Sequence, residues 1–108
     1  MPGYVKLQEA VTVTTNVSQD KRDAVEAGQD REVVISFNVL SAAAAGTVQM
    51  EHSPVLMDAR FEAIGSTASL TVTGPKSISI TGHARYLRWK VAGISGSASF
   101  EADALSRK

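Results

Sequence analysis

Two histidines, His52 and His83, are the side chains best suited to chemistry in this chain. A zinc-type site would need three or four ligands, so a carboxylate such as Glu51 or Asp58 would have to join them. The two lie far apart in sequence, and no i,i+2 or i,i+4 spacing places both on one element. They read as surface or turn histidines near strand ends, and no metal is expected. Serine, histidine and aspartate are all present, but no serine sits in a nucleophile-elbow pattern. Glu101 and Asp103, two apart, share one strand face and read as a solvated acidic face that blocks edge pairing. Gly93-Ile94-Ser95-Gly96 lacks the lysine and the following helix of a phosphate-cradling loop. These patterns predict no enzyme activity and no cofactor.

The second candidate is a binding surface. Between Gly74 and Phe100 there is no acidic residue, while Lys76, Arg85, Arg88 and Lys90 are basic and His83 lies close by. Within Ala84–Val91, period two sends Leu87, Trp89 and Val91 to one face and Tyr86, Arg88 and Lys90 to the other. The first face, with the only Trp, anchors a core; the second meets water or a partner. Asp20, Asp23, Glu26, Asp30 and Glu32 make the 20–32 region acidic, against Lys21, Arg22 and Arg31. In a neutral chain the acidic and basic segments could meet between neighbouring subunits. The expected protein interface is therefore Tyr86, Arg88, Lys90 and Lys76 with Asp20, Asp23 and Glu26.

Totals narrow the classes further. The 108 residues make one domain, 1–108. Net charge is zero, so no bulk field draws the chain to nucleic acid or anionic lipid. The absence of cysteine excludes disulfides and thiolate metal sites. No segment has the length of a membrane span, and no apolar run of signal-peptide length opens the chain. Synthesis in the cytoplasm is expected, with later assembly open, so the Asn16-Val17-Ser18 sequon carries little meaning.

The elements that must position these residues are strands. Val5, Leu7, Val11 and Val13 share a face that Glu9 interrupts, which predicts a bulge. Asn16 to Gln29 reads as a polar loop with one helical turn at 20–27. Val33, Ile35, Phe37 and Val39 form the clearest strand face. Val48 and Met50, Leu70 and Val72, Ile78 and Ile80, and a final strand with Ala98, Phe100 and Ala102 inward follow. Gly65 is expected to end a strand over 61–64, and Gly93 to Gly96 to form a turn. Val55–Arg60 reads as a loop or single helical turn. Seven to nine short strands at this spacing, with no substantial helix, predict an all-β antiparallel sandwich. The core would be Val33, Ile35, Phe37, Val39, Val48, Met50, Leu70, Val72, Ile78, Ile80, Leu87, Trp89 and Phe100.

The run Val48-Gln49-Met50-Glu51-His52-Ser53-Pro54, then Phe61-Glu62-Ala63-Ile64-Gly65, then His83-Ala84-Arg85-Tyr86-Leu87-Arg88-Trp89 and a Phe100-centred strand resembles discoidin-type jelly rolls. It is similar, too, to small β-sandwich proteins among tailed-phage structural genes. The likeness covers about residues 48–105. It implies a jelly roll, and a non-enzymatic phage or phage-like virion component that decorates or completes a particle, located in the virion or cytoplasm. Its partners would be copies of itself or a larger capsid or tail, met in part by strand pairing through Pro2–Leu7 or Ala104–Lys108. The alternative is a discoidin-type carbohydrate-binding module using loops around Gln19–Gln29, Val55–Arg60 and His83. A weaker alternative is nucleic-acid contact through Arg88 and Lys90.

Overall fold

Alternating side chains need a partner layer, and this chain supplies one by folding two sheets face to face. The computed structural model describes residues 3–28 and 30–107. Nine strands run through them: β1 (Tyr4–Val13), β2 (Val17–Ser18), β3 (Val25–Glu26), β4 (Glu32–Ser41), β5 (Ala45–Ser53), β6 (Glu62–Ser69), β7 (Gly74–Thr81), β8 (Tyr86–Ser95) and β9 (Ala98–Arg107). One sheet has the order β1-β9-β4-β7; the other has β2-β8-β5-β6, with β3 also on β8. Every pairing is antiparallel. This is the order of an eight-stranded jelly roll whose second strand is broken into β2 and β3 by a 3-10 turn at Lys21–Asp23. The expected all-β sandwich is thus observed.

The core follows the period-two faces. Val33, Ile35, Phe37 and Val39 of β4 are buried beside Ile78 and Ile80 of β7 and Ala98, Phe100, Ala102 and Ala104 of β9. Val48, Met50, Leu87, Trp89 and Val91 meet them from the other sheet. Phe100 lies at the centre, edge-on to Phe37 at 5.9 Å and to Trp89 at 5.1 Å between ring centroids. The alanines on β9 leave the space that these rings fill. Trp89 also donates its indole N–H to Gln8 Oε1 at 3.1 Å, so its polar edge is satisfied.

Val72 is not in this core; it is 60% exposed. The expected 69–73 strand does not exist, because β6 ends at Ser69 and residues 70–73 cross to β7. Period two has no meaning in such a crossover. Leu70 is buried there because its N–H donates to Gly46 O at 3.0 Å while its carbonyl accepts from Ala43 N at 2.9 Å. The 20–27 helical turn is shorter than expected, covering only Lys21–Asp23. Gly93 stands inside β8. At Glu9 the expected irregularity is present: the β1–β9 register shifts between Lys6 and Gln8 and again between Gln8 and Val11.

Gly65 does not end its strand. It sits in a bulge inside β6, where the register with β5 shifts between Gln49 and Met50. Its φ is +77°, and a Cβ there would stand 3.3 Å from Ile78 Cγ2. Gly65→Ala is expected to lower stability by about 1–2 kcal/mol through the left-handed backbone alone. A urea midpoint equal to that of the wild type would contradict the bulge.

Candidate functional site

The outer face of the β2-β8-β5-β6 sheet is not bare. Period two sends Arg88 of β8 and Glu51 of β5 to that face, and the register sets them directly opposite one another. Arg88 Nε donates to Glu51 Oε1 at 3.1 Å. Its Nη1 donates to Asp58 Oδ1 at 2.7 Å and to Gln19 O at 3.3 Å. Its guanidinium carbon stands 4.0 Å from the centre of the Phe61 ring. Arg88 is only 5% exposed and Glu51 only 6%. The segments that cover them are 17–19, which lies against β8, and the 54–61 loop.

This corrects the expected interface at several points. Arg88 is committed to its own chain and does not stand free for a subunit or a nucleic acid. Lys76 belongs to the other sheet, on its edge strand β7, opposite Phe37 in register. An inward-leaning lysine beside Pro75 is a common protection of a sheet edge, and Lys76 shares no face with Lys90. Glu26 ion-pairs with Arg85 at 3.1 Å, so acidic and basic segments meet within one chain. Glu101 and Asp103 guard no edge, because β9 lies between β1 and β4. They bridge to Lys6 at 3.6 and 3.3 Å. Asp103 also accepts the Tyr4 hydroxyl at 2.6 Å, which raises that phenol's pKa. Of the segments expected to pair by strand edges, Tyr4–Leu7 is part of the edge strand β1, whereas Ala104–Arg107 is part of β9, which already lies between β1 and β4. Pro2 and Lys108 lie outside the described residues, as does Gln29.

Tyr86 is half-buried at the start of β8, paired with Ser53, and Lys90 is exposed. Asp20 and Asp23 are exposed. Asp20 caps the 3-10 turn. Hydrogen bonds from the Arg22 side chain, then from its backbone N–H, hold the Asp20 carboxyl down at about 2.

The histidines hold backbone. Ala84 N–H donates to His52 Nδ1 at 2.9 Å, and His83 Nε2 donates to Ala27 O at 2.6 Å. Both brace the crossover between β7 and β8. Glu51 and Asp58, the carboxylates that could have completed a metal site, point to Arg88. Among the described residues no group of three or more metal-ligating side chains is assembled.

The residues that sequence reasoning missed are Gln19, Phe61 and the pairing of Glu51 with Arg88. Gln19 is buried, donates its amide to Leu7 O at 2.7 Å, and joins Trp89 through backbone and side chain. The one available signal was outward-facing opposite charges on two strands, and it has force only once their register is known.

Beyond the buried cluster the 54–61 loop presents an apolar tip. Val55, Leu56 and Met57 are 38%, 40% and 54% exposed. The tip is held at both ends. Ser53 Oγ accepts from Val55 N at 3.1 Å and donates to Val55 O at 2.6 Å. Asp58, at the other end, is pinned by Arg88 and opens a 3-10 turn, Asp58–Arg60. Two grooves flank the cluster. One, of about 670 Å³, has Ser18 to Arg22 on one wall with Asp58 and Arg88. The other, of about 440 Å³, crosses the sheet face past Thr47, Gln49, Phe61, Lys90 and Ala92. The expected sugar loops are thus divided. Gln19–Arg22 and Asp58 meet at the first groove, whereas His83 lines a separate one with Glu26, Gly28 and Arg85.

No protein-family model matches the sequence, and no curated protein matches it either. Solved structures do share its fold. The SPBc2 prophage-derived protein YomS is similar with a TM-score of 0.61, at 11% identity, over 95% of this chain and 90% of that one. The carbohydrate-binding module BiXyn10A CBM1 is similar at 0.54 and 11% identity, over 92% and 72%. The CBM22-1–GH10 modules of Clostridium thermocellum xylanase 10B, solved with xylohexaose, give 0.50 at 13% identity, over 98% of this chain and 26% of that one. The expected likeness to small phage β-sandwiches therefore holds at the level of fold. Among the described residues no helix is long and apolar enough to cross a membrane.

Proposed function

We propose that this chain is a non-enzymatic structural protein that works through protein–protein contacts, as a decoration or accessory component of a phage or phage-like particle. The observation that carries this reading is the pinned apolar tip. A buried ion-pair cluster costs desolvation, and here it holds three exposed apolar side chains in one place. An apolar group fixed in water gains by being covered. The whole-length likeness to a prophage-derived protein supports the particle over other partners. Tyr86, at the base of the tip, and Lys90, Asp20 and Asp23 are the expected contact residues that the fold leaves accessible.

A second reading has its own observation. The 440 Å³ groove offers the Lys90 ammonium and the Thr47 hydroxyl along a sheet face, beside Gln49, whose amide N–H donates to Gly65 O. Such donors suit sugar hydroxyls, and two carbohydrate-binding modules share the fold. Phe61 is covered by Arg88, so recognition there would rest on hydrogen bonds.

Co-sedimentation with the purified particle, beside calorimetric titration with xylo-oligosaccharides, separates the two. The first reading expects particle binding that the double variant Leu56→Asp, Met57→Asp abolishes without loss of fold, and no heat with sugar. Sugar binding that Lys90→Ala weakens, with no particle binding, would replace it by the second.

A further inference from the structure

Two grooves of opposite character adjoin at Gln19. The larger, already described, contains the cations Lys21, Arg22 and Arg88. Arg22 is paired with Asp20, and Arg88 with Glu51 and Asp58. Lys21 has no ion pair among the described residues. The smaller groove, of about 290 Å³, contains Glu9, Asp23 and Lys6. Lys6 is bridged to Glu101 and Asp103, while among the described residues the Glu9 and Asp23 carboxylates form no ion pair. Counting only lining side chains, the first groove has three cations against Asp20 and Asp58, and the second has two carboxylates against Lys6. One is net positive and the other net negative.

The fold fixes this separation. Glu9 stands at the β1 bulge, and the 3-10 turn capped by Asp20 places Lys21 in one groove and Asp23 in the other. Gln19, hydrogen-bonded to β1 and β8, forms the floor between them. A cation and two carboxylates, none of them in an ion pair among the described residues, are thus held side by side.

We propose that this surface is a two-fold contact between copies of the chain, in which the Lys21 groove of one copy receives Glu9 and Asp23 of the other, and the reverse. Under a two-fold axis that passes between the two grooves, at Gln19, each groove of one copy faces the other groove of the second. A surface with adjacent positive and negative grooves is self-complementary under that operation. The inference goes beyond the particle-binding reading and adds a contact between copies of the chain, apart from the apolar tip. It also replaces the expected acidic–basic pairing, whose Glu26 and Arg88 are already satisfied within the chain.

The test uses the full chain in light scattering over a range of concentrations, with circular dichroism as the check on folding. The wild type is expected to dimerise, less so as salt rises. Lys21→Glu alone, or Glu9→Lys with Asp23→Lys, is expected to weaken dimerisation by about tenfold or more through like-charge contact. An equimolar mixture of the two variants is expected to regain it, because both halves of the mixed dimer then pair opposite charges. Dimers that persist in each variant, or a mixture no better than its components, would overturn this surface while leaving self-assembly standing. A wild type that stays monomeric throughout would overturn this surface and self-association together.

Discussion

Arg88→Ala is expected to destabilise the fold by about 3–5 kcal/mol, because it strands Glu51 as a buried, unpaired carboxylate. It also frees Asp58 and uncovers Phe61, so the whole 54–61 loop loses its anchor. Chemical denaturation would read the first effect. Hydrogen exchange at Val55–Met57 would read the second, as faster exchange in the tip. The informative partner is the double variant Arg88→Met, Glu51→Leu. Replacing both members of a buried ion pair by apolar side chains is often neutral or stabilising. That variant is expected to keep its stability and still exchange faster in the tip. A double variant as unstable as Arg88→Ala would show that the cluster supports the fold in general and does not serve the loop.

The other large effect lies in the core. Trp89→Ala is expected to cost about 3–5 kcal/mol, the range for removing a buried aromatic. Trp89 joins three parts of the fold: its ring packs on Phe100, its indole N–H bonds Gln8 beside the β1 bulge, and its backbone bonds Gln19. Loss of the ring therefore opens the sandwich and strips Gln8 of its donor, while the backbone bonds to Gln19 remain. Trp89→Phe is expected to recover part of the stability and to leave the Gln8 side chain without its donor. Thermal unfolding followed by circular dichroism checks both. A Trp89→Ala melting curve that overlays the wild type would contradict the central position of this ring.

The fold was legible because period two is a local signal. Val33, Ile35, Phe37 and Val39 needed only their own alternation, and Leu87, Trp89 and Val91 likewise. Glu9 was readable for the same reason, since a charge on an otherwise apolar strand face has to leave it. Val72 was misplaced because alternation was carried past the end of a strand, into a crossover whose backbone no longer alternates. Gly65 shows the converse. A left-handed glycine reads as a strand end in sequence, yet a bulge can absorb it and let the ladder continue.

The site was less legible, for a physical reason. Whether an outward-facing residue meets water depends on what lies over the sheet, and that is a matter of tertiary structure. Arg88 alternates correctly to the outside and is buried all the same, because the 54–61 loop brings Phe61 and Asp58 against it and β2 lies along its strand. The Arg88–Glu51 pair depends on a register between strands far apart in sequence, which no spacing within either strand reveals. The acidic and basic segments were expected to meet between subunits, but the Glu26–Arg85 pair is made within one chain. What survives for a partner is what the fold leaves outside its ion pairs: Lys21, Glu9 and Asp23, and the apolar tip.

Self-association of the unmodified chain is the most direct test of this account. Light scattering on the eluting protein, from dilute to concentrated, is predicted to give a mass that climbs from a single 11.4 kDa chain toward a multiple of it, and falls back as salt is raised. A mass that stays at 11.4 kDa at every concentration, from a protein that also fails to sediment with the particle, would contradict it.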